Sequence, residues 1–216
     1  MAVKKNYTET EMIDIFGLTR ISNAKNTAML RWTTVDEPVF TASQSELFEK
    51  KLEQASKYII GWNEEKLKMQ FIAYILHLAE LEDTDKYILL YEKPLKHEIN
   101  GISLSVQTDF MIATGHYDIY KKPFFHFQEY KPEKNPTGDS MSQLLQAMMI
   151  AQAKNNDENL LYGCEIIGKN WNFVLLDGST YYISTTYNAT ERQGLLDIIA
   201  ILRKFKYILE TELIIN

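Results

Sequence analysis

An Asn-Gly pair at residues 100–101 constrains the fold of this chain more than any other local feature. It lies between two runs, residues 86–95 and 102–113, that are rich in β-branched and aromatic side chains. Asn-Gly favours the two-residue turn of a β-hairpin because both positions tolerate a positive φ. A third strand-like run covers residues 124–131 and stops at Pro132, which has no N–H to donate within a sheet. The sequence therefore predicts three consecutive strands.

Helical and strand-like patterns alternate after the third strand. Asp139 or Ser140 can cap a helix that continues to residue 154. Strand-like runs separated by short turns then fill residues 162–185, which predicts an antiparallel meander. Thr190 can cap a last helix, whose apolar residues recur at helical spacing.

The first part of the chain carries helical patterns. Thr8 or Thr10 can cap a short helix that Gly17 ends. Residues 1–60 contain no group of side chains that suggests chemistry. We therefore expect these helices to cover the core or to contact a partner, either another protein or a second copy of the chain.

The order of elements predicts the fold class. Asn63 is a good N-cap for a longer helix over residues 64–79. Because helices lie at both ends and between the groups of strands, we expect an α/β fold in which helices flank a mixed β-sheet. A chain of 216 residues can bury one sizeable core. The prediction is a helical N-terminal extension over residues 1–60 and one domain over residues 61–216.

Composition and charge restrict the classes of function. The net charge of −6 argues against a protein that binds nucleic acid through a broad basic surface, so such a partner would need a local groove. The single Cys164 excludes an internal disulfide and a cysteine-based zinc site. The N-terminus lacks the apolar run of a signal peptide, and no window approaches transmembrane length, so the default expectation is a cytoplasmic protein without membrane contact.

A candidate site lies on the second and third predicted strands. Glu129 and Lys131 are two residues apart and so share one face of their strand. Pairing with the preceding strand would bring the carboxylate of Asp109 close to that of Glu129. Neighbouring carboxylates repel each other unless positive charge lies between them. The pattern favours a hard divalent cation, Mg²⁺ or Mn²⁺, with the backbone carbonyl of Tyr130 as a further ligand.

Lys131 would have a separate role at such a site. Its ammonium could orient or help to deprotonate a metal-bound water and could offset charge in a phosphoryl transition state. The alternative is that Asp109, Glu129 and Lys131 are exposed strand residues. Glu129 and Lys131 would then form a same-face ion pair worth ~0.2–1 kcal/mol.

Helical residues supply further candidates. Gln143 and Gln146 are three residues apart and share a helix face, from which either could hold a metal-bound water or contact a phosphate. A solvated helix face is the alternative. Glu64 could add a carboxylate from the start of its helix, and Glu65 competes for that role. Glutamate in a first helical turn also needs no function, because the helix dipole stabilises it by ~0.3–1 kcal/mol.

In their order and spacing, these residues resemble the motifs of the PD-(D/E)XK nuclease superfamily, which has the restriction-endonuclease-like fold. That family has an Asp on one strand, Asp/Glu-x-Lys on the next and then a helix that often carries Gln. The chain is most similar to the nuclease domains of type I restriction motor subunits and to small stand-alone relatives. Their Glu-x-x-[Leu/Thr]-[Arg/Lys]-x-x-Phe-Ile motif resembles residues 64–72 here, which selects Glu64 over Glu65. The resemblance covers residues 63–185.

The resemblance implies an αβββαβ core and a metal-dependent nuclease, acting on DNA rather than RNA. Asp109, Glu129 and Glu64 would hold the metal, and Lys131, Gln143 and Gln146 would assist. Thr108 stands where the family pattern has Pro, a change that removes no ligand. The alternative is a catalytically inactive member that serves as a binding or scaffold subunit in a defence or DNA-processing system.

Overall fold

The computed structural model describes residues 7–117, 119–134, 136–157 and 159–214. The chain forms one mixed β-sheet with helices packed on both faces. The predicted α/β class and mixed sheet are therefore confirmed. The first six residues of the predicted N-terminal extension lie outside the described part.

The sheet contains eight strands in the described part of the chain. Their order across the sheet is β1-β7-β6-β5-β4-β3-β2, with β8 paired to β6. The pairs β1–β7 and β4–β5 are parallel, and the other pairs are antiparallel. The strands are β1 (Thr19–Ser22), β2 (Ile88–Ile99), β3 (Ile102–His116), β4 (Ile119–Lys131), β5 (Leu161–Ile167), β6 (Asn170–Asp177), β7 (Thr180–Ile183) and β8 (Tyr187–Asn188).

The helices cover both faces of this sheet. A π-helical turn, Lys68–Ile72, joins α4 to α5, and a second one, Leu209–Leu213, follows α7. A single 3₁₀ turn, Ile59–Gly61, follows α3. The α-helices are α1 (Glu9–Phe16), α2 (Thr27–Thr33), α3 (Ala42–Tyr58), α4 (Glu64–Leu67), α5 (Ala73–Leu78), α6 (Ser140–Asn155) and α7 (Arg192–Ile208).

Two hydrophobic cores lie on opposite sides of the sheet. One packs α2, α3, α5 and α7 against the sheet and includes the fully buried Trp32 and Phe110. The other packs α1 and α6 on the opposite face and includes Met111 and Phe127. Phe110 and Met111 are adjacent in β3 and belong to different cores, as strand alternation requires. Residues two apart on β3, or two apart on β4, therefore point to the same face of the sheet.

Turn and capping residues in the sequence predicted where several of the strands and helices begin or end. Asn100 and Gly101 both have positive φ and form the turn between β2 and β3, as predicted. Thr8 caps α1 in a capping box, and Gly17 ends it in the left-handed conformation. Asn63 caps α4 by accepting a hydrogen bond from the backbone N–H of Lys66.

The N-terminal segment differs from the helical extension that the sequence predicts. Residues 7–60 contain α1, α2 and α3, but Thr19–Ser22 forms strand β1 and pairs in parallel with β7. Trp32 of α2 and Phe48 of α3 are buried in the core of the sheet. This segment therefore completes one edge of the sheet and covers one of its faces. The last helix also starts later than predicted, with Glu191 rather than Thr190 at its N-cap.

None of the helices in the described residues combines the length and the apolar composition that crossing a membrane requires.

Candidate functional site

The site is built where the pairing of β3 and β4 ends. Phe110 pairs with Gln128, so the next positions outward along the two strands are Asp109 and Glu129. Successive side chains on a strand point to opposite faces, so the side chains of Asp109 and Glu129 both lie on the face of the sheet that carries Met111. Asp109 Oδ2 accepts a hydrogen bond of 2.7 Å from the backbone N–H of Tyr130. The structure therefore brings Asp109 next to the Glu-x-Lys segment of the following strand.

Lys131 joins Glu129 to the start of helix α4. Its Nζ donates to Glu129 Oε1 at 2.8 Å and lies 3.9 Å from Glu64 Oε2. Lys131 and Glu129 are 6% and 3% exposed, so this is a buried pair rather than the exposed ion pair of the alternative interpretation. The structure thus brings four sequence-predicted residues together, Asp109, Glu129, Lys131 and Glu64.

Lys68 is a fifth member of the cluster, and the sequence analysis did not assign it a role. Its Nζ lies 3.0 Å from Glu64 Oε1, 2.7 Å from Glu92 Oε1 and 2.9 Å from Asp109 Oδ1. Lys68 is four residues after Glu64, within the motif at residues 64–72, and this spacing was a signal for the contact. Its contact with Asp109 spans 41 residues, and no local pattern predicts it.

Burial and like charge raise the pKa of Glu129. Burial makes the largest contribution, and the negative charge of Asp109 makes the next, so that the pKa rises to about 8 against the attraction of Lys131. Burial also raises the pKa of Asp109, although Lys68 and the N–H of Tyr130 oppose it. The surroundings of Glu129 and Asp109 thus disfavour the ionised form of both carboxyl groups. A site of this kind gains from an added positive charge.

The two lysines are held in the charged state. Burial alone would lower the pKa of Lys68, but the hydrogen bonds with Glu92 and Asp109 outweigh it and raise the pKa. Burial likewise opposes ionisation of Lys131, and the charge and hydrogen bond of Glu129 raise its pKa. Neither lysine is therefore a neutral base at ordinary pH.

Glu165 extends the polar row across the sheet. It pairs with Glu129 in the β4–β5 register and with Asn172 in the β5–β6 register. Ser140, the first residue of α6, donates its hydroxyl to Glu165 Oε1, and Asn172 Nδ2 donates to Oε2 at 3.1 Å. The sequence patterns predicted no role for Glu165 either. The only clue was that it is a single acidic residue within an apolar strand-like run.

Gln143 and Gln146 lie apart from this cluster in the described contacts. A side chain on Gly138 would come within 3.2 Å of Gln143 Oε1, so Gln143 folds back against the loop before α6. Gln146 is 1% exposed, which excludes the solvated helix face as its position. Its Nε2 donates to Ser142 Oγ at 3.3 Å, and its buried Oε1 has no hydrogen-bond partner among the described residues.

A cavity of about 340 Å³ opens beside the carboxylates on the side of α4 and α5. Asp109, Glu92 and Lys68 form its polar end, and the rest of its lining is largely apolar. Glu65, the competitor of Glu64, lies on the lining of this cavity and is exposed. The ion pairs with Lys68 and Lys131 favour Glu64 over Glu65 as the carboxylate of the cluster.

The donor chemistry of the cluster suits a hard divalent cation. Four carboxyl groups surround two ammonium groups, which leaves two uncompensated negative charges when all are ionised. Oxygen ligands of this kind bind Mg²⁺. Within the described ranges, however, no three Asp, Glu, His or Cys side chains form a ready-made metal site. Lys68 Nζ lies between three of the carboxylates, so a cation could bind there only after Lys68 moves.

No family model matches this chain, and no curated protein sequence matches it.

Proposed function

We propose that the protein is a metal-dependent nuclease with a restriction-endonuclease-like core, which hydrolyses phosphodiester bonds, in DNA rather than RNA. The observation that carries this proposal is the convergence of the buried Asp109, Glu129 and Lys131 with the half-buried Glu64. Carboxylates that share a site need positive charge between them, and Mg²⁺ or Mn²⁺ would supply it.

The order of elements around the cluster supports the proposed core. Helices α4 and α5 precede three antiparallel strands, β2, β3 and β4. Helix α6 then crosses to β5, which pairs in parallel with β4. This is the αβββαβ order that the resemblance implies, with the proposed Asp on the second strand and Glu-x-Lys on the third.

The contacts of Asp109, Glu129, Glu64 and Lys131 support a role for each of them in the proposed reaction. Asp109, Glu129 and Glu64 would hold the metal, with the carbonyl of Tyr130 as a further oxygen ligand. The bound metal would lower the pKa of a water and offset negative charge on the phosphate. Lys131, already held against Glu129, would keep its charged ammonium beside the reacting phosphate and orient the water. The assisting roles of Gln143 and Gln146 stay predictions.

The test is cleavage of a panel of single-stranded, double-stranded and circular DNA and of RNA, with Mg²⁺ or Mn²⁺. We expect metal-dependent cleavage by the wild type and its loss in Lys131→Ala. Lys57→Ala is the matched control, because Lys57 forms an exposed ion pair with Glu53 on α3. Equal cleavage by the wild type and Lys131→Ala would contradict the proposal and would indicate a contaminant or another site.

A second candidate function is a non-catalytic binding or scaffold protein. The observation that favours it is that Lys68 and Lys131 already neutralise part of the acidic cluster. Calorimetry separates the two functions: the nuclease binds Mg²⁺ or Mn²⁺ at millimolar concentration, and the scaffold protein does not. Loss of the heat of binding in Asp109→Asn would assign the metal to this cluster.

A further inference from the structure

A second cavity, of about 570 Å³, lies at the opposite end of α6 from the acidic cluster. It is formed by the C-terminal end of α6, the start of β4 and one residue of β2. The side chain of Asn155 fixes this arrangement, because it both accepts from the N–H and donates to the carbonyl of Phe124, each at 2.8 Å. The lining residues are His97, Tyr120, Lys121, Lys122, Phe124, Ala153, Lys154 and Asn156.

The charge of this cavity is opposite to that of the whole chain. Lys121, Lys122 and Lys154 line it together with His97, and no acidic side chain of the described residues is part of the lining. Three ammonium groups around one concave surface repel one another and attract phosphate. In a chain with a net charge of −6, this cavity is a local basic groove of the kind that a nucleic-acid partner would need.

Two large exposed side chains, Tyr117 and Ile119, lie in the chain just before the cavity-lining residues Tyr120 and Lys121. Tyr117 is 83% exposed at the turn between β3 and β4, with its ring centroid 4.1 Å from that of His116. Ile119, the first residue of β4, is 70% exposed. Large side chains held in solvent lose apolar burial, and they can regain it when a flat partner stacks on them. Every nucleobase has such a flat face.

We propose that the basic cavity and Tyr117 bind single-stranded nucleic acid, with phosphates held by Lys121, Lys122 and Lys154 and a base stacked on Tyr117. This inference rests on the proposed nuclease and names the form of its substrate. Unpaired bases are required because a base inside a duplex has no free face for stacking.

The length of α6 sets the distance between this cavity and the acidic cluster. Ser140 at the N-terminal end of α6 contacts Glu165 of the polar row, and Lys154 at the other end lines the basic cavity. Sixteen residues of α-helix span about 24 Å at 1.5 Å per residue. A strand that reaches both sites must therefore be at least several nucleotides long, and shorter oligonucleotides would occupy one site only.

The experiment measures binding of a labelled 20-nucleotide DNA strand by fluorescence anisotropy in EDTA, where metal-dependent cleavage is blocked. The test variant carries Lys121→Gln, Lys122→Gln and Lys154→Gln. We expect an affinity loss of about tenfold or more. The slope of log K for association against log salt should become about 2 less negative, since each lost single-strand phosphate contact removes about −0.7. The control variant, Lys25→Gln with Lys50→Gln and Lys57→Gln, has the same net charge and should keep the wild-type slope.

The aromatic contact is tested separately. Tyr117→Ala should weaken binding of the single strand about fivefold or more, with little change for a blunt duplex. Tyr58→Ala is the matched control, because Tyr58 is 60% exposed on α3, away from the cavity. Equal effects of Tyr117→Ala and Tyr58→Ala would overturn the stacking contact.

The outcomes separate this inference from the proposed function. Strand binding that depends on the three lysines without cleavage supports the inference and contradicts the nuclease. Cleavage with equal strand affinity in the two triple variants overturns the inference alone. No strand binding by the wild type, full displacement of the strand by a mononucleotide, or lysine-dependent binding to phosphatidylserine vesicles without strand binding would each overturn it as well.

Discussion

Removal of Lys68 tests the electrostatic account of the acidic cluster most directly. Lys68→Met keeps most of the side-chain volume and removes the ammonium that contacts Glu64, Glu92 and Asp109. The contact with Asp109 dominates the effect, because these side chains are only 16% and 10% exposed. The contact with Glu92 counts for little, because that side chain is half exposed and water screens it.

The size of the effect follows from the charge that is left without its partner. Loss of one partner from a buried ion pair costs about 3–5 kcal/mol, and we take ~3 kcal/mol because the cluster is partly exposed. For a chain of this length, ~1 kcal/mol changes Tm by about 2–4 °C, so the expected decrease in Tm is roughly 6–12 °C. Circular dichroism at neutral pH in EDTA measures this change.

A matched control and a metal titration complete the test. Lys57→Met removes an exposed ion pair with Glu53 and should change Tm by less than ~2 °C. Millimolar Mn²⁺ should then raise the Tm of Lys68→Met more than that of the wild type, because the freed carboxylates can bind a cation. A Tm of Lys68→Met within about 2 °C of the wild type would refute the electrostatic account.

Other predictions concern single buried groups. The pKa of Glu129 is raised to about 8, so from pH 6.5 to 8 the unfolded chain is ionised there while the folded chain keeps its proton. Stability should fall as pH rises in this window, by up to ~1.4 kcal/mol per pH unit. In Glu129→Gln, the free energy of unfolding measured with urea should depend less on pH than in the wild type. Equal pH dependence in the two proteins would contradict the raised pKa. Burial lowers the pKa of His126 to about 3, so stability is lost as pH falls below 6.5. In the same urea assay, His126→Phe should lose less free energy of unfolding over that pH range than the wild type. Gly194→Ala would push a Cβ into the backbone carbonyl of Asn188 and should cost ~2 kcal/mol or more by urea unfolding, whereas Gly61→Ala, with open space around it, should change the free energy of unfolding by less than ~0.5 kcal/mol.

The cluster also shows why a carboxylate motif alone does not define a metal site. Lys68 and Lys131 hold the acidic side chains together without a metal, but two negative charges stay uncompensated when all four carboxyl groups are ionised. A divalent cation would compensate these charges, and displacement of Lys68 would accompany binding. The proposed nuclease and the proposed scaffold protein therefore differ in one measurable property, the affinity of the cluster for Mg²⁺ or Mn²⁺.

The sequence by itself determined what depends on near neighbours in the chain. Turn chemistry at residues 100–101 fixed the β2–β3 hairpin, and alternation placed Glu129 and Lys131 on one face. The capping residue Asn63 fixed where α4 starts, and for α1 the sequence left two candidate caps, of which Thr8 is the one used. These features follow from the backbone preferences of a few consecutive residues, which are the same in any fold.

Only the tertiary structure decided which distant residues meet. Lys68 reaches Asp109 because a helix packs across the sheet, and Glu165 lies beside Glu129 because α6 returns the chain to a parallel strand. The basic cavity likewise joins β2, β4 and the end of α6. Such contacts depend on how whole elements pack around the two cores. No repeating pattern of residues along the chain predicts which distant elements pack together.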